Sequence, residues 1–203
     1  MFELPKECFV NKFIPKKTFY ERVNISTSLK QELIDKIEKI TWLYKVSESK
    51  VNVPKTENVE EIELFKLELK EKYNSKNVIK IITKEIPYPI LFLISFNSEF
   101  QYAIKYEDEI YFSDWNIDVK FDFLDFNLEK VYENIIRRIT NIEKTNKDIE
   151  VELSKIQEME KIEKEIERLN GQLKKEQQFN RKVELNKKIL ELNNEKEAIK
   201  NNE

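Results

Sequence analysis

The sequence predicts an α+β domain over residues 1–140, a mixed and mostly antiparallel sheet with flanking helices, followed by a long helical tail over 141–203. Three observations predict it. Up to about residue 140 the apolar residues switch repeatedly between the period of a strand and that of a helix. From about residue 142 onward there is no proline, Phe179 is the only aromatic, and apolar residues recur in steps of three and four, as in a coiled coil or helical hairpin. The length of 203 residues suits one core of roughly 100–150 residues with an appendage, and the 37% of charged residues exceeds the usual quarter, as a solvated helix requires.

The elements follow in order. Residues 1–25 read as a partly extended arm in which Lys12, Lys16 and Lys17 interleave with Phe13, Phe19 and Tyr20. The arm is either a small cationic, aromatic patch for nucleic acid or a set of core aromatics with solvated lysines. Ser28 is placed to cap a helix carrying Leu29, Leu33, Ile34, Ile37 and Ile40. ITWLYKV reads as a strand, SESKVNVPKTEN as a loop, and EIELFKLELK, residues 61–70, as a strand with one apolar face. Val78, Ile79, Ile82 and Ile86 make a helix stopped by Pro87, and the uninterrupted apolar run after it reads as a central strand. Phe100–Tyr106, Ile110–Trp115 and Ile117–Phe123 then read as an antiparallel meander. Asn127 caps a last helix with Leu128, Val131, Tyr132, Ile135, Ile136 and Ile139 on one stripe.

In the tail, Ile149, Leu153, Ile156, Met159, Ile162, Ile166, Leu169 and Leu173 form the seam expected to meet a protein partner or a second copy of the chain. It blurs around Gln177–Lys182 and resumes at Val183, Asn186, Ile189, Leu190 and Ile199, so one helix and a hairpin both fit, with Gly171 as another hinge. Residues 142–203 hold 14 basic and 15 acidic residues, which excludes a polybasic nucleic-acid arm.

Absences restrict the chemistry. With no histidine, imidazole-based catalysis and the usual zinc sites are gone. With one glycine, neither a phosphate-cradling loop nor a dinucleotide turn can be written, so no nucleotide cofactor is expected. The net charge of −3 supplies no global pull toward a polyanion. No apolar run is long enough to span a bilayer, MFELPKECFV lacks the pattern of a signal peptide, and the single cysteine, Cys8, has no disulfide partner; these predict a cytoplasmic protein without a membrane role. Cys8 itself reads as a small buried residue.

The order and spacing of LPKECFVNKFIPKKTFYE, KITWLYKVS, VEEIELFKLELK, the helix ending in IP before ILFLIS, and NLEKVYENIIRRI resemble a bacterial and archaeal family called domain of unknown function 4391, and KKEQQFNRKVELNKKILEL resembles its charged tail. The family has no established activity. Its genes are reported near helicase and DNA-methyltransferase genes of restriction-like systems, so the resemblance implies a role beside DNA-processing proteins.

Two classes of function remain. The first is a non-enzymatic accessory subunit that docks through the tail, without cofactor, in a DNA-associated complex where Lys12, Lys16, Lys17, Arg137 and Arg138 are candidate nucleic-acid contacts. The alternative is a Mg²⁺-dependent nuclease using the E-x-K of Glu68 and Lys70, the glutamate holding the ion and the lysine activating water. The first acid is missing from the strand: Glu61 lies about 23 Å away at roughly 3.3 Å per residue and Glu63 has the parity of the opposite face, so only Asp35 or Glu38, at the end of the preceding helix, could reach the site, by a favourable packing. The plain reading of Lys66, Glu68 and Lys70 is the solvated face of a strand.

Overall fold

A computed structural model describes residues 2–22, 25–143 and 148–201 and divides the chain into two compact units, Met1–Lys144 and Thr145–Glu203. The first is built on one six-stranded sheet in the order β1 (Phe9–Phe13), β2 (Ile37–Ser47), β3 (Glu61–Leu69), β4 (Ile90–Phe96), β5 (Glu99–Tyr106) and β6 (Glu109–Phe112). Every neighbouring pair is antiparallel except β3 with β4. That parallel pair needs a crossover, which α4 (Lys76–Glu85) supplies. The architecture is the expected α+β class.

One face of the sheet carries α1 (Lys17–Arg22), α2 (Thr27–Lys36) and α4 over a core that includes Leu33, Ile40, Leu67, Ile82, Phe92 and Ile94. On β3 the odd residues Phe65, Leu67 and Leu69 point into it. Buried Ile62 and Leu64 alternate to the other face, which α5 (Leu128–Thr140) covers. Asn127 caps α5 as expected, accepting the Lys130 N–H, and the Tyr132 hydroxyl donates to the Lys105 carbonyl of β5. Cys8 is fully buried in a short 3-10 turn packed on β2, and burial pushes its thiol above the usual range.

Two elements depart from the sequence reading. The first helix is capped by Ser26, not Ser28, and ends at Lys36, so Ile37 and Ile40 belong to β2. β2 carries a bulge between Ile37 and Lys39, and an extra residue there places two positions three apart on the same sheet face. Ile37 and Ile40 therefore both enter the helix-side core, and their spacing imitates a helix turn. The segment 117–123 alternates in burial, with Phe121 and Phe123 inside, but forms no ladder. Its aromatics are held by side-chain contacts instead, Phe121 edge-on to Tyr102 at 4.8 Å and both phenylalanines against Phe2. The expected arm holds the edge strand β1 and the helix α1, and the expected loop holds the short α3 (Glu48–Val51).

Among the described residues six adopt positive φ: Asn11, Asn52, Asn97, Glu107, Asn116 and Asn141. Five are asparagine, the residue that after glycine tolerates the left-handed region best. The chain's single glycine is not among them, since Gly171 lies inside a helix.

The second unit comprises α6 (Ile149–Lys175) and α7 (Phe179–Asn201), joined by the turn Glu176–Gln178. Lys196 of α7 pairs with Glu163 of α6, so the helices run antiparallel as a hairpin. Asp148 caps α6 by accepting the Glu150 N–H at 3.1 Å. The Glu176 carboxylate accepts the N–H groups of Gln177 and Gln178 at 2.8 and 2.9 Å, and these bonds hold it below the usual carboxylate range. The helix therefore breaks where a carboxylate can satisfy amides entering the next helix, and not at Gly171.

With a closed core of its own, the first unit is expected to fold alone: a fragment ending at Asn141 should unfold in one cooperative transition by circular dichroism, and a broad, probe-dependent transition would contradict the boundary.

Candidate functional site

The sheet's helix side holds a cleft of about 290 Å³ at the point where the chain leaves α4 and returns to β4. Trp42 and Phe65 stack across β2 and β3, with ring centroids 6.4 Å apart and planes 13° apart, and make one flat wall. Phe19 of α1 and Ile86 after α4 close the apolar lining. Glu61 and Glu63 of β3, Glu85 of α4 and Lys45 of β2 supply the charge.

A second bulge in β2, between Trp42 and Tyr44, assembles this set. Trp42 pairs with Phe65, and the extra residue then sets Lys45 opposite Glu63, bringing Trp42 and Lys45, three residues apart, to one face. The Trp42 indole N–H donates to Glu63 Oε2 at 2.5 Å, and Lys45 Nζ lies 2.5 Å from Glu61 Oε2. Glu63 is only 4% exposed. Burial pushes its carboxyl up to about 7; the Trp42 bond works against this, while the hydrogen bond it shares with Glu61 adds to it.

Glu68 and Lys70 are elsewhere and are engaged apart from each other. Glu68 pairs with Lys66 at 3.1 Å, and its neighbours in register are Lys39 on β2 and Ser95 on β4, neither an acid. Among the described residues no group of three or more His, Cys, Asp or Glu is placed to hold a metal ion, so this donor set does not fit Mg²⁺ at Glu68. Lys70 Nζ donates to the Ile34 carbonyl at 3.1 Å, at the C-terminal end of α2. Lys16 donates to the same carbonyl at 3.3 Å and also to that of Ile37. Burial lowers the Lys16 ammonium from its usual value, and the charge of Lys70 beside it lowers it further. Both lysines satisfy open carbonyls and the negative end of a helix dipole.

The remaining cations do not converge. Lys12 is exposed on the edge strand and Lys17 exposed at the start of α1. Arg137, only 5% exposed, and the exposed Arg138 sit on α5, across the sheet from Lys16. Arg137 donates to the Glu143 carbonyl at 3.4 Å.

In the hairpin, Ile149, Leu153, Ile162 and Leu169 are buried, while Ile156, Met159, Ile166 and Leu173 are half-buried. On α7 the half-buried positions are Leu185, Ile189, Leu192 and Ile199, so Val183 and Leu190, expected in the seam, lie outside it. No described helix is long and apolar enough to cross a membrane.

Fold and cleft together define a six-stranded α+β sheet domain with an acid-lined cleft, extended by a helical hairpin. The family model described as Domain of unknown function (DUF4391) matches residues 2–195, and the chain belongs to that family. No curated protein and no solved structure matches it.

Two outcomes follow from these contacts. A carboxyl whose folded pKa is raised binds a proton more tightly in the folded state, so its cost is absent below about pH 4.5 and complete above about pH 7. Denaturant titrations of Glu63→Gln should therefore show a stability gain over wild type that grows from pH 5 to pH 8, reaching on the order of 2 kcal/mol. Lys16→Met should lower the unfolding free energy by about 1 kcal/mol, the value of a charged hydrogen bond at a helix end, and the denaturation midpoint with it. An unchanged midpoint would show that Lys70 alone suffices there.

Proposed function

We propose that this protein is a non-enzymatic accessory subunit that docks through its tail hairpin, beside DNA-processing proteins as the family resemblance implies. The observation that carries the reading is a second apolar stripe on α7. Phe179, Val183 and Leu190 are 77%, 52% and 61% exposed, although α7 already has a half-buried side at Leu185 and Leu192. Val183 and Leu190 each stand two positions before Leu185 and Leu192, roughly 200° around a helix of 3.6 residues per turn. α6 cannot cover both sides.

A helix laid along that stripe would remove three large side chains from water, worth on the order of 5 kcal/mol before ordering entropy is subtracted. Asn186 lies within the stripe at heptad spacing, and a polar residue there favours one register over others. The near balance of acid and base in the tail leaves no like-charge repulsion against a second copy, so self-association of two hairpins into a four-helix bundle is the favoured assembly.

Sedimentation equilibrium of the full chain against a Phe179→Ser, Val183→Lys, Leu190→Lys variant tests this. The wild type is expected to associate at micromolar concentration, and the variant to be monomeric with an unchanged melting temperature. A wild type that stays monomeric, and captures from its native host no protein that the variant fails to capture, overturns the proposal.

A further inference from the structure

The cleft carries an inference that is independent of the tail, because its lining runs only from Ile14 to Tyr88. Its volume of about 290 Å³ lies at the small end of the range of ligand clefts. Three carboxyl groups, Glu61, Glu63 and Glu85, face one cation, Lys45, which Glu61 already holds. Glu63 is nine-tenths buried and bonded at one oxygen by a neutral indole, and among the described residues no cation stands at hydrogen-bond distance from it. Buried carboxyl groups in proteins are ordinarily compensated by a full positive charge. The surrounding wall is aromatic and flat, a surface that attracts organic cations and offers nothing to coordinate a hydrated metal.

We propose that this cleft is a recognition site for a guanidinium group, the arginine side chain of a partner protein. The planar guanidinium forks onto the Glu61–Glu63 carboxyl pair, and its face and methylene stem lie against the Trp42–Phe65 wall. An ammonium group lacks the planar fork, so lysine should bind less well. Binding displaces Lys45 from Glu61 or shares that carboxylate with it, and it is favoured once Glu63 has lost its proton. Glu85, Lys45 and Tyr88 are the other titratable groups facing the site. Affinity rises between pH 6 and pH 8, as Glu63 gives up its proton.

The experiment is a titration of the full-length protein with acetyl-Ala-Arg-Ala-amide, its Lys and Ala counterparts, and free L-arginine, followed by the indole N–H resonance of Trp42. Trp42→Phe assigns that resonance against Trp115. The Arg peptide is expected to saturate the shift at least fivefold more tightly than the Lys peptide, with no shift from the Ala peptide and at least fivefold tighter binding at pH 8 than at pH 6. Glu63→Gln should weaken binding tenfold or more, and Lys45→Met, which removes the competing cation, should strengthen it. If Glu63→Gln does not fold, Lys45→Met decides. An Arg peptide no better than the Ala peptide, or affinity unmoved by Lys45→Met, overturns the proposal; L-arginine binding more tightly than the peptide would replace a partner protein by a free guanidinium metabolite.

Discussion

Two extra residues in β2 set the geometry on which most of the first unit depends. In an unbroken strand, positions three apart face opposite sides of the sheet. The bulge after Ile37 reverses that rule for Ile37 and Ile40, so the strand enters the helix-side core directly from the end of α2. The bulge after Trp42 reverses it again for Trp42 and Lys45, which is how an indole and an ammonium come to stand over Glu63 and Glu61. The parallel crossover through α4 supplies the remaining wall, because the chain must travel back along the sheet before β4 begins. Core and cleft are thus consequences of the same strand.

Most elements were legible in the sequence because their periods were intact. Asn127 and the stripe behind it marked α5, and the run from Ile90 marked a central strand. Failures arose where one pattern has two causes. A three-residue apolar step means a helix turn or a bulged strand, and Ile37 and Ile40 illustrate the second. The alternation over 117–123 records burial on one side faithfully, yet backbone pairing depends on a free neighbouring strand edge, which no local pattern encodes. For the cleft, parity already placed Glu63 with Phe65, Leu67 and Leu69, and an acid on the apolar face of a strand is the signal that points to it. What parity could not supply was Trp42 and Lys45, since their position rests on a bulge. The E-x-K reading drew two residues whose side chains serve local needs, Lys70 at the end of α2 and Glu68 beside Lys66.

The two units solve the problem of apolar surface differently. The sheet closes both faces with its own helices. The hairpin has only two helices, and a two-helix unit leaves each seam open on the side away from its partner: its inner positions on α7 are half-buried at best, and an additional stripe stays in water. A charge-rich hairpin with apolar residues still in water therefore has more to gain from further burial than a sheet already covered on both faces.

The left-handed asparagines bear on a state of the chain that no folded contact records. Glycine at those five positions would relax the backbone locally, but it would also widen the ensemble from which folding begins. By turning corners with asparagine, the chain accepts a small local strain and keeps its disordered form comparatively restricted in φ and ψ. A chain of 203 residues with one glycine therefore enters folding with less conformational entropy to lose than its length alone suggests, and part of its stability resides in the narrowness of its denatured ensemble.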